Sequence, residues 1–168
     1  MTGKDGAVTD APAPGGRALD LAHHTGFLVR RTQQAHLAVW AAEVGPRLSN
    51  VQFGVLNVLA RLGEASQREL CDALDLDRST VAGLVARLET RGLVARVRAA
   101  ADRRRNVVRL TDGGRATLRD TMRDAARVDA VLTAPLTADE RAELQRLLTL
   151  VLAARPPLGA DARPGLRV

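Results

Sequence analysis

The chain has 168 residues, a length typical of one domain, and 46% of them are apolar, which is enough for a hydrophobic core. Its net charge of +6 favours a polyanionic partner, and no window approaches the ~20 apolar residues of a membrane span. The single cysteine excludes an intrachain disulfide, and the N-terminus lacks a secretory core segment, so we expect a cytoplasmic protein.

Arginine supplies almost all of the positive charge, because Lys4 is the only lysine. Such a bias is typical of a GC-rich genome, and it raises the arginine content everywhere in a chain. Evidence for a nucleic-acid partner therefore depends on where the arginines cluster.

The first third of the chain predicts an arm followed by two helices. Residues 1–17 are polar and rich in Gly and Pro, which predicts a disordered arm. A long helix is predicted over about residues 19–44, ending where Gly45 and Pro46 follow. A second helix, about residues 51–62, carries the expected core side chains Phe53, Val55, Leu56, Val58 and Leu59.

Residues 66–91 have the pattern of a helix-turn-helix. Ser66 and Glu69 have the S-x-x-E spacing of a capping box, which opens a short helix, and a tight turn at residues 75–76 follows. Asp77 is the predicted N-cap of the second helix. One apolar stripe of that helix recurs at helical spacing and is expected to be buried: Val81, Leu84, Val85 and Leu88.

The opposite face of this second helix carries small, hydroxyl and guanidinium side chains: Ser79, Ala82, Gly83, Ala86, Arg87 and Thr90. Small residues let a helix backbone approach a surface, and Arg, Ser and Thr match the base edges of the DNA major groove. An ordinary amphipathic helix with a solvated face has the same pattern. The neighbouring elements must therefore decide between the two interpretations.

Two short β-like runs, residues 93–98 and 106–110, predict a hairpin with residues 102–105 between them. The hairpin carries six arginines and one acidic side chain: Arg96, Arg98, Arg103, Arg104, Arg105 and Arg109, against Asp102. A wing of this charge is suited to straddle a phosphate backbone and to place an arginine in a narrow minor groove.

Two further helices are predicted over residues 111–132 and 137–154, the latter opened by a capping box of Thr137 and Glu140. Residues 156–168 predict a loose tail. Together with the first helix, these helices carry more apolar stripes than one small lobe can cover, which predicts a homodimer. The expected fold is mainly α with a small β-hairpin wing, comprising a winged helix-turn-helix lobe over about residues 51–110 and a helical dimerisation bundle.

The order and spacing of several motifs over roughly residues 19–154 resemble the MarR family of winged-helix transcriptional regulators. The motifs are Gln52-Phe53-Gly54-Val55-Leu56, Glu69-Leu70, Leu76-Asp77-Arg78-Ser79-Thr80-Val81, Leu84-Val85-Ala86-Arg87-Leu88-Glu89, Arg91-Gly92-Leu93-Val94, Asp102-Arg103-Arg104 and Leu110-Thr111. The resemblance implies a homodimeric repressor on a pseudo-palindromic operator in double-stranded DNA, with half-sites about one helical turn, ~34 Å, apart. No cofactor is expected.

Carried over by this resemblance, Ser79, Thr80 and Arg87 would face the major groove, and Arg104 would enter the minor groove, held by Asp102. Residues 99–101, three alanines, depart from the turn of many relatives. The full predicted DNA-binding set is Ser66, Gln67, Arg78, Ser79, Thr80, Gly83, Arg87, Arg98, Asp102, Arg103, Arg104 and Arg105.

All three histidines of the chain, His23, His24 and His36, lie in the first predicted helix. The stretch from His24 to His36 resembles the first helix of MarR-family members that respond to hydroxybenzoate-type acids. The resemblance implies that Arg30 clasps the carboxylate of an aromatic effector and that the flanking histidines bind its ring hydroxyls. The predicted effector site comprises His24, Arg30, His36, Trp40 and Phe53, the last two as flat apolar walls. A polar helix face at the dimer surface is the competing interpretation.

An enzyme is disfavoured, because the chain has no phosphate loop, no nucleophile elbow and no histidine outside residues 23–36 to serve Cys71 as a base. A metal sensor using His23, His24, His36 and Glu43 stays open. However, His24 and His36 lie about three turns apart on one helix and would need a second chain element to share an ion. A redox regulator using Cys71, which we expect to be partly buried, stays open as well, and so does a ligand-independent architectural DNA-binding protein.

Overall fold

A computed structural model describes residues 19–98 and 106–154 of the chain. The helices and strands in these residues are, in chain order, α1 (Thr25–Glu43), α2 (Asn50–Leu62), β1 (Glu64–Ala65), α3 (Gln67–Leu74), α4 (Arg78–Thr90), β2 (Val94–Arg98), β3 (Asn106–Leu110), α5 (Asp112–Leu132) and α6 (Ala138–Ala153). The predicted arm, tail and wing tip lie outside the described residues, so the roles of Asp102, Arg103, Arg104 and Arg105 stay predictions.

The predicted start of the first helix at residue 19 is wrong. Two side-chain caps divide this stretch into a short 3₁₀ turn and the α-helix that follows it. Asp20 caps a short 3₁₀ turn, Leu21–His23, by accepting from the N–H of Ala22 at 3.0 Å. His24 is then extended, with φ −83° and ψ 113°, and its Nδ1 accepts from the N–H of Phe27 at 3.2 Å. The α-helix therefore begins only at Thr25.

Side-chain caps also fix the other helix starts, mostly where the sequence predicts them. Ser66 and Thr137 form complete capping boxes, with Glu69 and Glu140 respectively. Thr111 caps α5 by accepting from the N–H of Gly114 at 3.0 Å. A third box, at Ser49 before α2, was not predicted. The second predicted helix accordingly begins at residue 50, one residue earlier than expected.

The sheet has three antiparallel strands in the order β1-β3-β2. The predicted hairpin is confirmed, with Val94 opposite Leu110 and Arg98 opposite Asn106. Strand β1 was not predicted, because its two residues are too few to show an alternating pattern. It pairs with β3, and the Arg109 Nε donates to the Glu64 carboxylate at 2.6 Å. This pairing attaches the base of the wing to the end of α2.

The main core lies beneath α4, α2 and the sheet. The predicted stripe of α4 is buried, with Val81, Val85 and Leu88 fully so. A second cluster joins Trp40, Val44 and Val128, and Phe53 packs against both clusters. The rear face of α4, the second helix of the helix-turn-helix and hereafter the recognition helix, is therefore packed against the rest of the lobe.

The chain divides within α1 into two units, Met1–Gln34 and Ala35–Val168. Both apolar clusters and the helix-turn-helix belong to the second unit. No helix among the described residues combines the length and the apolar character needed to cross a membrane.

Candidate nucleic-acid interface

The N-terminus of α4 has a carboxylate that holds two neighbouring hydroxyls. Asp77 caps the helix by accepting from the N–H of Thr80 at 2.9 Å, as its residue type predicts. Its two oxygens also accept from the Ser79 hydroxyl and, at 2.6 Å, from the Thr80 hydroxyl. Both hydroxyls were predicted to face DNA. Because both hydroxyls donate their protons to Asp77, they can act only as hydrogen-bond acceptors toward a DNA base.

The outer face of α4 is open along its length. Ser79 and Arg87 are exposed, Thr80 and Gly83 are half-buried, and Arg78 is exposed at the first helical position. A Cβ added at Gly83 would lie 3.4 Å from Nη1 of Arg87, so the guanidinium folds back over the Gly83 turn. The glycine therefore leaves room for the arginine head on the face that would meet a groove.

Helix α3 meets the wing near its own N-terminus. The Ser66 hydroxyl is engaged in the capping box, donating to Glu69 at 2.7 Å, and Gln67 follows as the first helical residue. Gln67 lines a cavity of about 330 Å³ together with Arg96 and residues 106–108 of β3. None of the five predicted effector residues lines this cavity.

The described part of the wing carries two outward arginines on β2. Arg98 is exposed at the strand end beside the undescribed tip, which suits the predicted phosphate contact. Arg96 is exposed too, but its Nε lies 3.2 Å from the Glu89 carboxylate at the end of α4. This ion pair, which was not predicted from the sequence, links the wing to the recognition helix.

The C-terminus of α4 is held by two neighbouring elements. Gly92 has a φ of +68°, which favours glycine, and its carbonyl accepts from the Thr111 hydroxyl at 2.6 Å. The Arg91 Nη2 donates to the carbonyl of Arg47 at 2.6 Å. The sequence did not predict a role for Arg91, because its partner Arg47 lies 44 positions away. The residues around Arg91 and around Arg47 show no pattern that indicates the hydrogen bond.

The predicted effector residues of the first unit are His24 and Arg30, and both are exposed. His24 caps α1 through its Nδ1, which carries no proton while it accepts from Phe27. The Arg30 guanidinium lies 5.3 Å from the centre of the Phe27 ring, a cation–π distance. Nearby, the Nδ1 of His23 lies 2.7 Å from the Asp20 carboxylate.

The predicted effector residues of the second unit form an aromatic row. His36 meets Trp40 edge to face, with ring centres 6.0 Å apart, and Trp40 lies 5.3 Å from Phe53. Trp40 is buried, and its indole N–H donates to the carbonyl of Leu48 at 2.7 Å. The indole is therefore a flat apolar surface whose only donor is already used.

Helix α6 has no buried residue, although one of its faces is apolar. The exposed side chains include Leu144, Leu147, Leu148, Leu150, Val151 and Leu152. Contiguous apolar surface of this kind marks an interaction site on a soluble protein. The described residues of this one chain leave it uncovered.

Comparison with known proteins identifies the chain. The sequence profile of the MarR family matches residues 48–105. The crystal structure of the PcaV transcriptional regulator from Streptomyces coelicolor is 42% identical, with a TM-score of 0.77 over 82% of this chain and 98% of that one. The chain is a member of the MarR family.

Two further proteins extend the similarity. BpsR of Bordetella bronchiseptica is 30% identical, with a TM-score of 0.78 over 83% of this chain and all of that one. The HTH-type transcriptional repressor NicR of Pseudomonas putida is 37% identical over 100 residues, which are 59% of this chain. The match spans 63% of the length of NicR, less than two thirds.

The resemblance predicted from the sequence is thus confirmed, and so is the mainly α winged fold. This MarR-family protein is a DNA-binding transcriptional regulator, and its relatives are regulators and not enzymes. The individual DNA-binding and effector residues stay predictions.

Cys71 is half-buried, as expected. Burial, and next the nearby Asp72 carboxylate, raise the pKa of its thiol above the usual value, which lowers the thiolate fraction on which oxidant sensing depends. Residues 19–98 and 106–154 contain no group of three His, Cys, Asp or Glu side chains placed to hold a metal ion.

Proposed function

We propose that this MarR-family protein is a homodimeric repressor that binds an inverted-repeat operator and is released by a small aromatic carboxylate. The observation that carries the dimer is the uncovered apolar face of α6. Two chains that bury this face around a twofold axis would present two recognition helices, and the operator must then repeat with inverted symmetry.

The dimer is tested with two exposed leucines of similar exposure. Leu148 in α6 is 44% exposed, and Leu62 at the end of α2 is 48% exposed. Leu148→Glu should weaken self-association in sedimentation equilibrium, because it places a charge in the face that the proposed dimer buries. Leu62→Glu should leave self-association unchanged. Equal behaviour of the two variants would contradict this interface.

The operator is tested by DNase footprinting on the DNA upstream of the gene. A regulator should protect one inverted repeat with half-site centres about one helical turn apart. Uniform protection along the fragment would instead indicate an architectural DNA-binding protein.

Names of relatives support the effector class. The structure of PcaV was determined with its natural ligand, and DNA binding by BpsR is regulated by 6-hydroxynicotinic acid. In this chain Arg30 is the proposed carboxylate ligand, because its planar guanidinium is exposed and can bind a carboxylate through two parallel hydrogen bonds. His24 and His36 are proposed to bind ring substituents, and Trp40 and Phe53 to supply apolar surface.

A thermal-shift screen tests the effector with 3,4-dihydroxybenzoate, 6-hydroxynicotinate and salicylate, and with succinate as a non-aromatic acid. A ligand at a hundred times its Kd stabilises by about 2.7 kcal/mol, which raises Tm by roughly 5–10 °C in a chain of this size. Arg30→Gln should abolish the shift, whereas Arg31→Gln, at a neighbouring position of α1 that is also exposed, should keep it. Loss in both variants, or no shift with any aromatic acid, would refute the assignment.

A further inference from the structure

Three elements hold the segment that joins α1 to α2, residues 44–49, which we call the connector. From α1, the Trp40 indole donates to the carbonyl of Leu48 at 2.7 Å. From the end of α4, Arg91 donates to the carbonyl of Arg47 at 2.6 Å. From α5, the Asp124 carboxylate forms an ion pair with the Arg47 guanidinium.

The two carbonyls belong to consecutive residues, so their planar peptide units are joined directly through the Cα of Leu48. Arg91 binds the carbonyl of Arg47, which lies in one planar peptide unit with the nitrogen of Leu48. Trp40 binds the next carbonyl along the chain, that of Leu48. The Leu48 side chain is completely buried, so close packing limits rotation of the backbone at the Cα that joins the two peptide units. A displacement of the indole therefore moves the peptide that holds Arg91.

Arg91 is placed to position the recognition helix. It is the C-cap residue of α4, and its guanidinium is directed back to the connector and to the Gln52 amide oxygen, 3.5 Å from Nη1. Gln52 in turn binds the N–H of Ser49 at the end of the connector. The end of α4 is thereby attached to the same few residues that Trp40 holds from the other side.

We propose that Arg91 is a positioning residue for operator binding, and that the connector transmits a displacement of Trp40 to the recognition helix. The second part rests on the proposed function, in which Trp40 lies at the effector. An effector would lower operator affinity by favouring an indole position in which the Arg91–Arg47 bond holds α4 at an unsuitable angle.

The first test needs neither DNA nor effector. Trp40 is the only tryptophan, so its indole N–H gives one resonance in a nitrogen-correlated NMR spectrum. Arg91→Gln should shift that resonance, because it releases the adjoining peptide unit. Arg61→Gln removes the same charge from an exposed position at the end of α2 and should leave the resonance in place. An unmoved resonance in Arg91→Gln would overturn the relay, whatever the effector screen shows.

The second test separates positioning from direct contact with phosphate. Arg91→Gln should weaken operator binding by about threefold or more, as for a lost hydrogen bond, with the dependence of log K on log salt unchanged. Arg91→Lys, which keeps one donor, should restore part of the affinity. A slope reduced by about one would show that Arg91 binds a phosphate, and wild-type affinity in Arg91→Gln would remove it from the mechanism.

The third test compares two substitutions on α5 that change the net charge of the protein equally. Asp124→Asn and Asp120→Asn each raise the net charge by one, which by itself strengthens binding to DNA. Asp120 is exposed one turn earlier and forms no ion pair with a described residue. Asp124→Asn should bind the operator more weakly than Asp120→Asn, because it frees Arg47. Equal affinities of the two variants would exclude the ion pair from the relay.

Discussion

Asp77 offers the sharpest test of how the recognition helix reads DNA, because one carboxylate both caps α4 and orients two hydroxyls. Asp77→Ala removes the cap acceptor and should cost about 1 kcal/mol, which lowers Tm by roughly 2–4 °C in a chain of this length. Asp77→Asn keeps a cap of similar strength but leaves one hydroxyl facing an amide N–H₂ in place of an acceptor oxygen. The asparagine variant therefore isolates the orientation of the hydroxyls from the stability of the helix.

In Asp77→Asn a negative charge also leaves the DNA-facing end of the helix, so binding to any duplex should strengthen. Operator binding should gain less, because the amide N–H₂ then donates to the Thr80 hydroxyl oxygen and frees its proton, so that the hydroxyl no longer discriminates against bases that present an acceptor. If that hydrogen bond is worth about 1 kcal/mol, the ratio of operator to scrambled-duplex affinity should fall by about fivefold. Fluorescence anisotropy with both duplexes measures the ratio. An equal gain on both duplexes would show that Asp77 acts only through its charge.

Two further predictions concern the lobe itself. Gly114→Ala should destabilise the protein by about 1–3 kcal/mol in urea titration, because the added Cβ would lie 1.9 Å from the carbonyl oxygen of Leu93. The adjacent Gly113→Ala has its nearest atom at 3.6 Å and should be neutral or stabilising; equal losses would contradict the contact. Cys71 should react with iodoacetamide more slowly than free cysteine at pH 7.5, since its raised pKa lowers the thiolate fraction, and the rate should rise with pH. A rate equal to that of free cysteine would reopen the interpretation as a redox regulator.

The parts of the fold that the sequence predicts are those controlled by short-range chemistry. Asp77, Ser66 and Thr137 cap helices within three residues of themselves, and the buried stripe of α4 follows from helical spacing. The start of α1 was missed for a local reason, because the His24 ring competes with the backbone for the first free N–H.

The parts that the sequence did not predict depend on long-range pairs. Arg91 and Arg47 are 44 positions apart, and Arg47 and Asp124 are 77 apart. In a chain whose cationic residues are almost all arginine, each arginine has many candidate carboxylates, and only the packed fold selects among them. Strand β1 was missed for the same reason, because its identity as a strand comes from its partner β3.

The side chains on the outer face of α4 predict part of the base sequence of each operator half-site. The Ser79 and Thr80 hydroxyls are set as acceptors, and the complementary donors in the major groove are adenine N6 and cytosine N4. The Arg87 head lies over Gly83, four residues from Ser79 and so about 6 Å along the helix. That distance is about two base steps of 3.4 Å, and the guanidinium prefers guanine. Each half-site selected from a random duplex library should therefore carry A or C about two positions from G. A selected half-site with T or G opposite the helix N-terminus would show that the hydroxyls turn away from Asp77 on binding.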